Sequence, residues 1–156
     1  MITFFESGIH HIDTEKSIFN SNTEYNILAY DKKQLTNQDL LNQYTESEEL
    51  KTKRYIVRKN ESSIGIIEYG MSSPRANKPW LSILIIDQQY QGRGYAKETF
   101  LAYEKQMKPK QVKSIQIAVH AVNKKALTFW KSLGFEKYDE RVYEDKLFYS
   151  FEKQLN

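Results

Sequence analysis

The chain has 156 residues, of which 40% are hydrophobic and 13% aromatic; 23 Lys and Arg against 20 Asp and Glu give a net charge of +3, and there is no cysteine. That length and balance fit one folded domain over residues 1–156 and exclude a disordered chain. Lack of cysteine excludes disulfides, thiolate metal sites and a cysteine nucleophile, while the scattered basic residues give no sign of a nucleic-acid partner. No apolar run approaches the roughly 20 residues that span a bilayer, and residues 1–5 are too short for a signal-peptide core, so a cytoplasmic protein without a membrane partner is expected.

In chain order, residues 2–5 read as a short strand and 13–20 as a weak helix with Ile18 and Phe19 inward. The stretch 23–35 is ambiguous, because 25–30 fits a strand or a buried loop. Thr36 opens a better helix over 36–50, with Asp39 in place of the usual Glu or Gln of a capping box and Leu40, Leu41 and Tyr44 as its apolar face. Residues 53–59, a polar turn at 60–63 and residues 64–69 make a hairpin. Its basic residues Lys51, Lys53, Arg54, Arg58 and Lys59 alternate with Tyr55 and Val57, which predicts a solvated strand face. After a connection with Pro74, Asn77 and Pro79, a third strand over 80–86 returns antiparallel.

Helix and strand then alternate. In 96–107, Ala96, Phe100, Tyr103 and Met107 share one helical face, and Pro109 stops the helix. A strand over 114–120 precedes a helix over 124–133, with Asn123 at its start, Ala126, Phe129, Trp130 and Leu133 inside, and Gly134 at its end. A strand over 146–152 closes an α/β unit.

Between strand 80–86 and helix 96–107 lies the turn Gln91, Gly92, Arg93, Gly94, Tyr95, Ala96. Glycines let a backbone approach a ligand, and the first helical turn offers unpaired N–H groups and partial positive charge to a phosphate. A dinucleotide fingerprint would need a small residue where Lys97 stands, and a Walker loop would need Gly-Lys-Ser/Thr; both are absent.

Gln91, Gly94 and Ala96 match the pattern Q/R-x-x-G-x-G/A, and Asn123, Ala126, Phe129, Trp130, Gly134 and Phe135 approach a second pattern, Asn-x-x-Ala then Phe-Tyr and Gly-Phe. Together they resemble the GNAT superfamily of N-acetyltransferases, most strongly over residues 80–135. The resemblance implies an α/β GNAT acyl-CoA N-acyltransferase fold: a mixed, mostly antiparallel sheet, splayed at its central parallel pair and flanked by helices. It implies acetyl-CoA as co-substrate, no metal, and direct attack by a primary amine on a thioester polarised by a strand N–H near Ile86. Backbone groups of Leu84, Ile85 and Ile86 would face the pantetheine arm. Following Gln91, amides of Gly92, Arg93, Gly94, Tyr95, Ala96 and Lys97 would hold the pyrophosphate. Asn123 would touch the cofactor further along, and Trp130 would lie near the sulfur. A small-molecule or peptide amine is the implied acceptor, and a homodimer is an assembly the family allows.

Three positions depart from that pattern. Trp130 stands where many members have a tyrosine acid, and an indole N–H is no acid near neutral pH. A thiol pKa of about 8.5 makes that loss tolerable, with a water or a nearby tyrosine, Tyr138 or Tyr143, as substitute. Ala118 and Trp80 occupy two places where family branches carry a glutamate base. Glu68 and His120 remain as catalytic candidates, and Glu24 and Asp31 as carboxylates that could attract an amine. His10 and His11 receive no role. Two rival readings follow: a non-catalytic acyl-CoA binding or sensing domain of the same fold, and a phosphate-binding module for another nucleotide.

Overall fold

Strand β1 (Ile2–Glu6) is followed by three helices, α1 (Ile12–Asn20), α2 (Thr23–Tyr30) and α3 (Asn37–Leu50), and then by three antiparallel strands, β2 (Thr52–Lys59), β3 (Ser62–Gly70) and β4 (Trp80–Ile86). Next come α4 (Tyr95–Met107), β5 (Ser114–His120), α5 (Lys124–Ser132) and the hairpin β6 (Glu136–Tyr143) and β7 (Lys146–Gln154). The computed structural model describes residues 1–155, and its sheet runs β1-β2-β3-β4-β5-β7-β6, with β4 and β5 its parallel pair.

Local chemistry accounts for most of these boundaries. The Thr36 hydroxyl accepts from the Asp39 N–H at 3.1 Å while the Asp39 carboxylate accepts from the Thr36 N–H at 2.8 Å, so the capping box forms with Asp as its acid. At the start of α5, Asn123 Oδ1 accepts from the Ala126 N–H at 3.1 Å.

Three expectations need correction. Residues 25–30 are neither strand nor loop but lie within the helix α2, fixed from outside by a buried amide. Asn26 Nδ2 donates to the carbonyls of Phe19 and Lys33, both at 2.9 Å, which ties the helix to the end of α1 and to the loop beyond. β6, which the sequence pattern does not mark, has all eight residues exposed and so no apolar alternation. Arg54 leaves the expected solvated face and is 6% exposed, because α1 and α3 cover that side of β2.

Both faces of the sheet are packed. On one, Val57, Ile67, Leu81, Ile115, Ile117, Val119 and Phe151 meet Phe100, Tyr103 and Met107 of α4 and Leu127 and Trp130 of α5. On the other, Ile56, Ile66 and Ile85 meet Ile18, Phe19, Leu35 and Leu40.

Beside the second core lies a buried polar network. Arg54 Nη1 donates to Glu15 at 2.6 Å, Nε to Glu68 at 2.7 Å and Nη2 to Gln43 at 2.8 Å. Glu68 also accepts from Thr52 at 2.7 Å and Ser47 at 2.9 Å, and Glu15 from Ser7 and from Tyr44 at 2.9 Å. Burial alone would lower the Arg54 pKa, but the charges of Glu68 and Glu15 outweigh it and raise it. Loss of the guanidinium strands two buried carboxylates. Arg54→Met is therefore expected to cost roughly 3–5 kcal/mol of stability, read as a lowered urea midpoint at unchanged slope.

Candidate active site

β4 and β5 are joined by one residue pair, Trp80 with Gln116, beside the Gln116 N–H to Pro79 carbonyl bond of 3.0 Å. A polar clasp secures that end: Glu152 accepts from Lys78 and from Gln116 Nε2, both at 2.9 Å. Beyond it the strands part. The β3–β4 register jumps from Glu68 opposite Ile83 to Tyr69 opposite Leu81, so Ser82 is an extra residue in β4, a bulge that adds local twist next to the opening.

The ladder shows which groups face the gap. The Asp87 N–H bonds the Ile64 carbonyl at 2.8 Å, and antiparallel pairing alternates, so Ile85 spends its backbone groups on β3 while Leu84 and Ile86 turn theirs toward β5. Ile85 thus departs from the expected trio. The Ile86 carbonyl is capped by Gln91 Nε2 at 2.8 Å and Asn22 Nδ2 at 3.1 Å.

At the mouth of the gap, Gly92 and Gly94 have φ of +79° and +82°, left-handed values that favour glycine, and a Cβ on either would meet nothing within 4 Å. Conformation demands these glycines, and open space surrounds them. Gly94 caps α4 without a side chain, and the first bond within the helix runs from the Glu98 N–H to the Gly94 carbonyl at 3.1 Å. The N–H groups of Tyr95, Ala96 and Lys97 precede that bond and are free for an anion. Arg93 lies over the Tyr90 ring, 5.7 Å from its centroid, and Lys97 is exposed. These donors, with free volume above them, fit a pyrophosphate.

Gln91 has a second role that spacing does not disclose. Its Nε2 also donates to Asn22 Oδ1 at 2.7 Å, and Lys125 Nζ lies 3.4 Å from its Oε1. One side chain thus joins the end of β4, the α1–α2 junction and the start of α5. Asn22 carries no sequence signal. Lys125 does, since Lys124 and Lys125 occupy the first turn of α5 with no acid beside them, against the helix dipole.

The remaining candidates separate. Trp130 is 8% exposed, with ring centroids 5.7 Å from Phe100 and 5.3 Å from Phe135, and serves the core. Asn123 spends its Oδ1 as a cap. Glu68, 4% exposed, is engaged by Arg54, Thr52 and Ser47 and does not face an open cleft, because the bulged strand and α3 enclose it. His120 ends β5 on the α1–α3 side, half-buried against Phe148 at 4.2 Å between ring centroids. Burial, and then the Lys146 charge, lower its pKa below the usual 6.5 and so favour the neutral imidazole. Asp31 pairs with Lys146, and Glu24 is exposed on α2.

A sheet opened at its parallel pair, with an anion-accepting helix start at the mouth, defines an acyltransferase of the acetyltransferase fold. The chain belongs to the GNAT acetyltransferases: the family model for the acetyltransferase (GNAT) domain matches residues 18–150. No curated protein sequence matches it. Among solved structures, an acetyltransferase from Thermus thermophilus superposes with a TM-score of 0.80 at 16% identity, covering 99% of this chain and 97% of that one. The PaiA N-acetyltransferase of Thermoplasma acidophilum, in complex with coenzyme A, gives 0.70 at 21% identity, with 99% of each chain covered. Spermidine N-acetyltransferase from Vibrio cholerae, with CoA and spermine, gives 0.72 at 18%, covering 98% and 95%. Among the described residues no helix is long and apolar enough to cross a membrane, and no cluster of His, Asp or Glu could hold a metal.

If the Gly94 conformation makes the anion site, a β-branched residue should damage it through backbone strain of about 1–3 kcal/mol, with no clash. Gly94→Val is expected to weaken acetyl-CoA binding at least tenfold, a change of about 1.4 kcal/mol, in a titration followed by tryptophan fluorescence.

Proposed function

We propose that the protein transfers an acetyl group from acetyl-CoA to a primary amine by direct attack, with His120 as general base. The observation that carries this reading is the position of the His120 imidazole, packed on Phe148 at the open end of the splayed pair on the face lined by α1–α3, where burial and the Lys146 charge push its pKa down. An amine with a pKa of about 10.4 arrives protonated and must shed a proton before it can attack. A neutral imidazole can take that proton, whereas Glu68 already has its oxygens committed to Arg54, Thr52 and Ser47.

The rest of the chain positions the donor. N–H groups from Gly92 to Lys97 bind the pyrophosphate, backbone groups of Leu84 and Ile86 align the extended arm, and the Ile86 N–H polarises the carbonyl. Bound acetyl-CoA supplies the activated acyl group and a thiolate leaving group. Asn123 offers its Nδ2 to the arm. An amine acceptor is supported by the spermidine N-acetyltransferase of the same fold.

Release of CoA thiol across a panel of amines tests the reading. His120→Gln is expected to lower the rate by roughly 10²-fold or more, the usual worth of a positioned base, while Glu68→Gln keeps the transfer. Loss of transfer in a folded Glu68→Gln variant, with His120→Gln still active, would return the base to Glu68. Acetyl-CoA binding with no thiol release from any amine would favour a sensing domain.

A further inference from the structure

The β6–β7 hairpin turns through Glu144 and Asp145, both with positive φ, and delivers Lys146 at the start of β7. Lys146 Nζ lies 2.6 Å from the Leu28 carbonyl oxygen and 3.0 Å from Asp31 Oδ1. Leu28 belongs to the last turn of α2, and Asp31 is the left-handed residue that ends it. The ammonium therefore takes a carbonyl that the helix end leaves without a partner, and it offsets the partial negative charge there. Its pair with Asp31 contributes little, since that carboxylate is 81% exposed; the charge-assisted bond to the carbonyl is the stronger tie.

Strand alternation places Lys146 on the same side of β7 as Phe148, the residue that packs on His120. One ammonium thus joins the hairpin to α2, 118 residues away in sequence, beside the open end of the splay. Asn22, just ahead of α2, is bonded in turn to Gln91 and to the Ile86 carbonyl. The two ends of α2 are thus tied, one to the end of β4 and the other to the β6–β7 hairpin.

We propose that Lys146 is a positioning residue of the acceptor cleft, tying α2 to the β6–β7 hairpin so that the amine is aligned toward His120. The proposal rests on the reading of the cleft given above, and predicts an effect on acceptor binding without one on donor binding. A second effect follows from charge. Around His120 stand Lys146 and Phe148 of β7, Tyr143 of β6 beyond the Phe148 ring, and Asp31 of α2 held by Lys146; burial first, and the Lys146 charge second, disfavour the imidazolium. Without that charge the His120 pKa rises, though burial still holds it down, so the acidic limb of the activity profile moves to higher pH.

The experiment compares Lys146→Met and Lys146→Arg in the full chain, with acetyl-CoA and an amine that supports thiol release. The methionine variant is expected to raise the acceptor KM about tenfold, the equivalent of one charge-assisted hydrogen bond. Its acetyl-CoA Kd stays within about twofold, its acidic limb shifts upward, and amides in the last turn of α2 exchange faster. Arginine restores the KM. An unchanged acceptor KM and pH limb overturn the proposal, as does an equal rise in acetyl-CoA Kd, which would mark general loosening. Should the methionine variant fail to fold, Lys146→Gln keeps a donor for the carbonyl without the charge. A shifted limb with a near-normal KM then supports the proposal, and no shift overturns it. If His120→Gln retains turnover while Lys146→Met raises the acceptor KM, the positioning role stands and the base assignment falls; with the opposite pair of results the base assignment stands and the positioning role falls.

Discussion

The separation of β4 from β5 is the constraint on which the rest of the structure depends. Two parallel strands in a buried sheet ordinarily pair along their length; these meet at Trp80 and Gln116 and then diverge. The Lys78–Glu152–Gln116 clasp holds the closed end, and the Ser82 bulge adds twist where the opening begins. Backbone groups of Leu84 and Ile86 that a neighbouring strand would have used are not taken by β5, and the Ile86 carbonyl is held by Gln91 and Asn22. Opening a sheet leaves polar groups in need of partners. A ligand lying along the groove would supply such partners.

The two faces of the sheet divide the work. Under α4 and α5 the packing is apolar and aromatic, and it gives the loop from Gln91 to Gly94 a firm base. Under α1 and α3 the sheet carries a charged network in which one guanidinium serves two carboxylates. Gln91 spans the two sides, because it touches the end of β4, the entry to α2 and the start of α5. The glycine turn and the entry to α2 therefore share a side chain.

What could be read from sequence was chemistry local to a few residues. Gly92 and Gly94 announce a left-handed turn, Thr36 and Asp39 a helix start, and Asn123 a cap, because each acts on backbone atoms within three or four positions. The burial of Arg54 is not legible in this way, because what decides it, Glu15 and Glu68, lies 39 and 14 residues away. The helical state of residues 25–30 likewise depends on contacts of Asn26 with Phe19 and Lys33, which no period in Tyr25–Tyr30 encodes. Trp130 illustrates a further limit: a motif position can be recognised while its side chain is recruited by Phe100 and Phe135. His120 and Glu68 look similar as strand-end residues, and only the packing around each distinguishes them.

The strand that contributes least to the core has its own consequence. β6 lies at one border of the sheet, every residue exposed, and carries Glu136, Lys137, Asp139, Glu140 and Arg141 in eight positions. An unpaired strand border is a template for another chain, and charge along it is a common defence against aggregation. Its signs are mixed, with Lys137 and Glu140 paired at 2.7 Å, so protection comes from desolvation more than from repulsion: a strand docking there would have to strip water from every one of these groups. Neutralising this strand to gain stability would remove that desolvation cost from the sheet border.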